Sequence, residues 1–340
     1  MRIQREFTYY KKRIKKRTAP YRHALNLRWD IFTAQFRQAD IAFFHRILPP
    51  PTGGRSQFFR ALGREMELRG WRVEHNTISS TTRACLFNAS SFDRHRLRRM
   101  ARAGRRLVHR IDGPVGIYRG YDDGTDTLIQ EINKEFADVT ILQSHYSLKK
   151  YEELGMSFTS PHVVMNAVDP AIFYPDGRIP FNPQRAIRLV SVSWSDNPNK
   201  GAAVYKWLEE HLDWNRFEYT FVGRSPIPLE RTKTIPPVPP EQLATILRQH
   251  DIYVTASQHE SCSNSVLEAL ACGLPVIYIQ SGSMTELVGE AGFGFTSREE
   301  IPGLLERLVN EYPNRQKYIQ IPTLKDVCDQ YLTLMGMPVS

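Results

Sequence analysis

His259-Glu260-Ser261-Cys262-Ser263-Asn264-Ser265-Val266-Leu267-Glu268 decides the reading of this chain, and it continues as Ala269-Leu270-Ala271-Cys272-Gly273-Leu274-Pro275-Val276-Ile277. The apolar residues after Ser265 predict a short helix, Gly273 stops it, and a buried strand follows. A helix that opens on a polar, small-residue turn aims its free N–H groups outward, where they bind phosphate. Glu260 and Glu268 place one carboxylate on each side of that helix start. A carboxylate accepts hydrogen bonds from the two hydroxyls of a diol. A ligand with a sugar, a diphosphate and a ribose would satisfy the whole arrangement. Glu268 also has a structural reading, because Ser265-Val266-Leu267-Glu268 fits an S-x-x-E capping box. Glu260 stands before the helix and lies outside that box.

Working outward, the same strand–loop–helix alternation fills both halves of the chain. In the second half it starts at Ile187–Val192, with strands near Glu218–Val222, Asp251–Ala256 and Pro275–Ile279. Helices are expected near 201–212, 241–249, 264–272 and 299–311, with a last one near 324–336. In the first half, short apolar runs at Ile41–Phe44, Ala84–Asn88, Arg106–Ile111, Val139–Gln143 and His162–Ala167 suit buried parallel strands. Helices are expected after the first strand up to Gly70 and at 92–103, 125–137 and 146–154. Pro170, Pro175, Pro180 and Pro183 punctuate a linker. The expectation is an α/β protein of two doubly wound domains, 39–169 and 170–323, followed by a closing segment, 324–340.

Ligands of such sheets sit beyond the carboxyl ends of the strands, so the candidate residues are sought there. Gly53 and Gly54 follow the first strand and read either as a close backbone approach to a ligand or as a plain turn. Asp112 follows the strand ending at Ile111 and reads either as a group for a sugar hydroxyl or a proton, or as an Asx turn. His109 and His145 lie near the same rim and read more readily as structural groups. In the second half, Ser193-Trp194-Ser195-Asp196-Asn197-Pro198-Asn199-Lys200-Gly201 leads from a strand into a helix. Lys200 opposes the positive end of that helix, a placement suited to a bound diphosphate and tolerable for a solvated lysine. Gly223 and Arg224 form another strand-end turn. The sequence has no D-x-D triplet to hold a divalent metal on a diphosphate, so neutralisation by Lys200 and helix dipoles, without metal, is expected.

The chain has 340 residues and a net charge of +9. Residues 1–40 carry eleven Lys and Arg against three acids, which concentrates +8 in an N-terminal arm. The arm, 1–38, interleaves aromatics with its cations. It reads as an extension packed on protein, or as a contact for an anionic membrane surface; nucleic acid is disfavoured. The basic stretch Arg94–Arg110 is expected to add to a lipid-facing surface. Four cysteines, Cys85, Cys262, Cys272 and Cys328, are far apart, which argues against a disulfide framework or a zinc site and for a reducing cytoplasm. No apolar run approaches a membrane span, and the arm lacks the apolar stretch of a secretory signal.

The region Glu260–Phe295 resembles the E-x7-E region of retaining glycosyltransferases of the GT-B fold, family 4. Other segments extend the likeness: Gly53-Gly54, Ala137–Ser144, Asn166-Ala167-Val168-Asp169 with Phe173, Lys200-Gly201, and Ser281–Glu286. The resemblance implies two Rossmann-like domains facing a central cleft, with the segment 324–340 packing back on the first. It implies that Glu268 binds the ribose diol and that Glu260 holds donor-sugar hydroxyls. It further implies that the amides around Ser263, Asn264 and Ser265 meet the diphosphate or sugar, and that Lys200 neutralises the leaving group. The family's Gly-Arg pair before the lysine reads Ser193-Trp194 here, and Arg224 is the candidate replacement. A UDP- or GDP-sugar donor and a glycan or lipid-linked acceptor are the implied partners. No metal or other cofactor is implied. The competing expectations are an epimerase or phosphorylase on the same fold, and a non-catalytic nucleotide-sugar-binding module with a basic arm.

Overall fold

A computed structural model describes residues 33, 36–45, 54–90, 92–102 and 104–339. The first domain contains β1 (Ile41–Phe44), α1 (Gly54–Leu68), β2 (Val73–His75), β3 (Ala84–Asn88), α2 (Arg94–Arg102), β4 (Arg106–Ile111), α3 (Val115–Arg119), α4 (Thr125–Phe136), β5 (Val139–Leu142), α5 (His145–Glu153) and β6 (Pro161–Val163). The second contains β7 (Ile187–Ser193), α6 (Ala202–His211), β8 (Phe217–Gly223), β9 (Lys233–Ile235), α7 (Pro240–Arg248), β10 (Ile252–Thr255), α8 (Asn264–Ala271), β11 (Val276–Ile279), α9 (Met284–Val288), β12 (Gly292–Phe295), α10 (Ile301–Asn310) and α11 (Tyr312–Lys317). The closing helix is α12 (Leu324–Leu334).

Among the described residues the strands form two six-stranded sheets, ordered β2-β1-β3-β4-β5-β6 and β12-β11-β10-β7-β8-β9. Every pairing is parallel, from Ile41↔Ala84 in the first sheet to Ile187↔Phe217 in the second. Parallel sheets need both faces covered, which is why the central strands are continuous apolar runs. β1 shows how one run serves two cores. Side chains alternate along a strand, so Ile41 and Phe43 pack with Phe58, Phe59 and Leu62 of α1, while Ala42 and Phe44 pack with Leu97 and Met100 of α2. In the second sheet Val190, Val192 and Tyr253 face Leu247 of α7 and Val266, Leu267 and Leu270 of α8. Leu189, Ile252 and Val254 face α6 and α10.

α12 returns to the first domain. Its Val327, Cys328, Tyr331 and Leu332 enter the core formed by β1 and α1, and the Tyr331 ring stands 5.8 Å from that of Phe58. The expected central strands and long helices are present. Six elements were not anticipated: the strands β2, β9 and β12 and the helices α3, α9 and α11. All three strands are edges of three or four residues, paired on one side, where too little apolar pattern accumulates to be read. The strand expected at 162–167 is shorter and begins earlier, at Pro161–Val163. Among the described residues, no helix is long and apolar enough to cross a membrane.

Candidate functional site

The start of α8 lies where the two domains meet. Ser263 caps it in an extended conformation without a side-chain bond to the helix, and Ser263 Oγ instead meets Ser265 Oγ at 3.2 Å. The alternative capping-box reading of Ser265–Glu268 is therefore not realised. The helix starts at Asn264, as expected, and its cap is Ser263, two residues before the Ser265 of that reading, which carries Glu268 beyond the first turn. The first domain approaches this start closely. A Cβ on Gly54, at the head of α1, would sit 2.1 Å from Asn264 Nδ2, and one on Gly113 would sit 2.9 Å from Ser261 Cβ. Asn264 Oδ1 accepts a hydrogen bond of 3.0 Å from Asn166 Nδ2 across the cleft. Gly53 lies outside the described residues.

Lys200 and Glu260 form an ion pair on one side of this helix start. Lys200 ends a short turn, Pro198–Lys200, that Asn197 caps by accepting from Asn199 N at 2.9 Å. Gly201 then bends the chain into α6 at φ +78°, and a Cβ there would stand 2.5 Å from Ala256 O. This positions Nζ to donate to Glu260 Oε1, which also accepts from Ser257 Oγ at 2.7 Å. Tyr118 of the first domain lies under the ammonium, 5.6 Å from ring centre to Nζ, while Asn197 and Asn199 donate to Tyr118 O at 3.1 and 2.8 Å. Burial works against the Lys200 charge, but Glu260 and Tyr118 outweigh it and raise its pKa. The loop before Glu260 is strained, with His259 at φ +57°. Gly282 closes tightly on it, since a Cβ there would lie 2.6 Å from Glu260 N.

Glu268 sits in the opposite environment. It is 5% exposed, and no hydrogen bond or ion pair reaches its carboxylate among the described residues. Burial alone pushes its pKa up to about 8. It lines a cavity of about 300 Å³ between α1, α7, α8 and the start of the interdomain linker. Asn264 lines the same cavity one turn earlier, so the cavity runs along α8 to the helix start.

Asp112 belongs to a buried network on the first-domain side. Its Oδ1 accepts from Arg110 Nη1 at 2.9 Å and from Gln143 Nε2 at 2.6 Å. Arg110, 1% exposed, also donates to Asn88 Oδ1 and Asn166 Oδ1, each at 2.8 Å. Asn166 donates to Gln143 Oε1 at 2.9 Å as well as to Asn264. Phe58 and Phe59 of α1 lie 4.9 and 5.4 Å from the guanidinium carbon. Sequence reading missed Arg110, placing it in a surface cluster. Its only local signal is an arginine inside an otherwise buried strand.

The Arg94–Arg110 stretch is correspondingly not one open basic face. Arg98 pairs with Glu135 at 2.8 Å, Arg96 with Asp93 at 3.5 Å, and Arg106 Nε donates to Leu334 O at 3.2 Å. His109 is structural. It stacks on Phe87, Nε2 meets Ala89 O at 3.0 Å, Nδ1 meets Asn133 Nδ2 at 3.1 Å, and burial lowers its pKa to about 3. His145 opens α5, where it contributes its backbone. Its N–H and that of Tyr146 donate to Glu286 of the second domain at 2.8 and 2.6 Å. Ser144 takes the N–H of Ser147, so three of the four free donors of this helix start are satisfied. Gly223 is held at φ +125° with no room for a side chain, since a Cβ would lie 1.7 Å from Ser193 O. The exposed Arg224 donates to Trp194 O at 3.1 Å. The arm lies outside the described residues apart from Thr33 and residues 36–38.

Two parallel α/β sheets facing a cleft, with the last helix crossing back, define the GT-B fold. Residues 228–321 match the family model described as Glycosyl transferases group 1. A D-inositol 3-phosphate glycosyltransferase of Corynebacterium glutamicum (strain R) is 25% identical over 174 residues, which span 51% of this chain and 36% of that protein. The chain thus matches little more than a third of that relative's length. Among solved structures, sucrose-phosphate synthase from Thermosynechococcus elongatus superposes with a TM-score of 0.70 at 14% identity, covering 88% of this chain and 98% of that one. Anabaena Alr3699/HepE in complex with UDP and glucose gives 0.65 at 14%, covering 88% and 100%.

Proposed function

We propose that the protein is a retaining glycosyltransferase that takes a sugar from a nucleotide-diphosphate donor without a metal. The observation that carries the reading is the pairing of opposites around the start of α8. Lys200 and Glu260 are paired just before it, while Glu268 within the helix is buried with no carboxylate partner among the described residues, and no side chain caps the helix start. The family match over 228–321 supports glycosyl transfer. Anabaena Alr3699/HepE, of the same fold, has also been solved in complex with UDP-glucose, a nucleotide sugar.

In this reading the ribose hydroxyls give Glu268 the hydrogen-bond donors it lacks. The diphosphate meets the amides of Ser263, Asn264 and Ser265. Lys200 exchanges its contact with Glu260 for the leaving phosphate as negative charge develops there, which frees the Glu260 carboxylate for donor-sugar hydroxyls. The C–O bond to the diphosphate breaks, the acceptor oxygen bonds to the anomeric carbon on the same face, and the acceptor proton passes to the departing phosphate oxygen. Asp112, anchored by Arg110 and Gln143, faces the acceptor as a fixed hydrogen-bond acceptor. The acceptor is a hydroxyl of a glycan or lipid. The arm, residues 1–38, is assigned to an anionic membrane surface, and charge-dependent sedimentation with liposomes tests that assignment.

The deciding experiment offers nucleotide sugars to the full chain with and without glycan acceptors and follows the sugar by NMR. Transfer with retained anomeric configuration in EDTA supports the proposal. Release of an epimerised or phosphorylated sugar with no transfer would replace it with epimerase or phosphorylase chemistry.

A further inference from the structure

The cavity behind Glu268 has two unlike walls. On one side, Arg60 and Arg64 stand one turn apart on α1. On the other are two carboxylates of the second domain, Glu241 in the first turn of α7 and Glu268 in α8. Arg64 has an ion pair with Asp169 at 3.7 Å and its side chain is 62% exposed. A long, open pair of this kind contributes little and yields to a better-placed acceptor. Glu268 is the fixed point, being buried, without a partner among the described residues, and turned to the cavity.

This inference rests on the donor reading given above, in which Glu268 holds the ribose. The diphosphate then lies towards Asn264, and the base fills the rest of the cavity. About 300 Å³ is at the small end of ligand pockets, which suits a nucleoside rather than a whole donor.

The base that fits is decided by hydrogen-bond pattern. Guanine presents O6 and N7 as adjacent acceptors, the commonest match for an arginine fork. Its other edge presents N1–H and the 2-amino group as adjacent donors, which the two oxygens of a carboxylate accept together. Uracil has one N–H between two carbonyls, so a carboxylate meeting it confronts an acceptor on either side. Adenine and cytosine each set an amino group beside a ring acceptor. Guanine alone offers a pair of acceptors to the arginine wall and a pair of donors to the carboxylate wall.

We infer that the cavity selects a guanine nucleotide, with Glu241 reading the N1–H and 2-amino edge and the α1 arginines facing O6 and N7. Its placement also makes α1 of the first domain part of the nucleotide site, so that nucleotide alone bridges the two domains.

Titration calorimetry of the full chain with GDP, UDP and ADP tests this. GDP is expected to bind about tenfold or more tighter than either of the others, the discrimination typical of a bidentate base contact. Glu241 is exposed at a helix start, so E241Q keeps the fold, which its thermal unfolding verifies. E241Q is expected to bring GDP within about threefold of UDP, because an amide offers one acceptor where two are needed. E268Q should weaken all three nucleotides together. UDP or ADP binding as tightly as GDP would overturn the inference while leaving the donor reading intact. Unchanged GDP preference in E241Q would remove Glu241 as the selector. Failure of all three nucleotides to bind would bring down the donor reading and this inference together.

Discussion

Glu260 and Glu268 flank one helix start, yet their surroundings are opposite. Glu260 is held by Lys200 and by Ser257, so its charge is matched before any ligand arrives. Glu268 is buried with no donor among the described residues, and burial pushes its pKa up to about 8. Arg110 supplies the contrast within the first domain. It is buried more deeply than either, and its fork is met by Asn88, Asp112 and Asn166. Buried charges that serve the fold alone are paired. A buried carboxylate left without donors costs stability, and such groups gather where a ligand completes the pairing.

Substitutions can break this comparison. The largest effect on folding is expected at Arg110. R110M strands Asp112 and two further polar partners, Asn88 and Asn166, and removal of one member of a buried ion pair costs about 3–5 kcal/mol. Urea unfolding should show this as a lowered midpoint with little change in slope; a loss below 1 kcal/mol would mean that the network contributes little. Next, K200A should lower turnover about ten- to a thousandfold, as for other contacts to developing charge. Steady-state kinetics at saturating donor measures it, and turnover equal to wild type would take Lys200 out of the site.

Glu268 should behave in the reverse sense to Arg110, with stability gained and function lost. Its folded pKa is raised from 4.5 to about 8, so between those values the folded state keeps a proton that the unfolded state releases. Stability therefore falls as pH rises through this window and levels off above it. Below pH 4.5 both states are protonated and the group contributes nothing. E268Q removes the slope and should be more stable than wild type at pH 8.5, by an amount on the order of a few kcal/mol, while nucleotide affinity drops. Thermal melts at pH 5 and 8.5 give the sign, and equal gains at both values would refute the assignment of the charge. The smallest effect is expected for E286Q. It weakens the cap that joins the second domain to α5 and should cost about 1 kcal/mol, read as a modest fall in the melting temperature.

Much of the fold was legible because its central strands are buried on both faces and so appear as unbroken apolar runs, as in Ile41–Phe44 and Ile252–Thr255. Gly273 marked the end of α8 for a local reason as well, since it takes φ +82°, which a side chain resists. The start of the same helix, expected at 264, is observed at Asn264, but its cap is Ser263 and not the Ser265 of the S-x-x-E reading. The contacts of Gly54 and Asn166 with Asn264 come from the other domain, which no local pattern shows. Lys200 and Glu260 were each marked from their own loops, but nothing in a separation of 60 residues reveals that they form a pair.

The amino-acid sequence by itself determined two doubly wound halves, the helix with its flanking acids, and the lysine at the head of α6. Each of these rests on periodicity, on capping chemistry or on neighbours within about ten residues. Tertiary structure alone decided that Arg110 is a buried hub rather than a surface cation, that α1 walls the cavity behind Glu268, and that Glu286 caps a helix of the other domain. Those outcomes depend on which loops the parallel strand order brings to one rim. Strand order comes from the packing of whole layers, and no local segment encodes it.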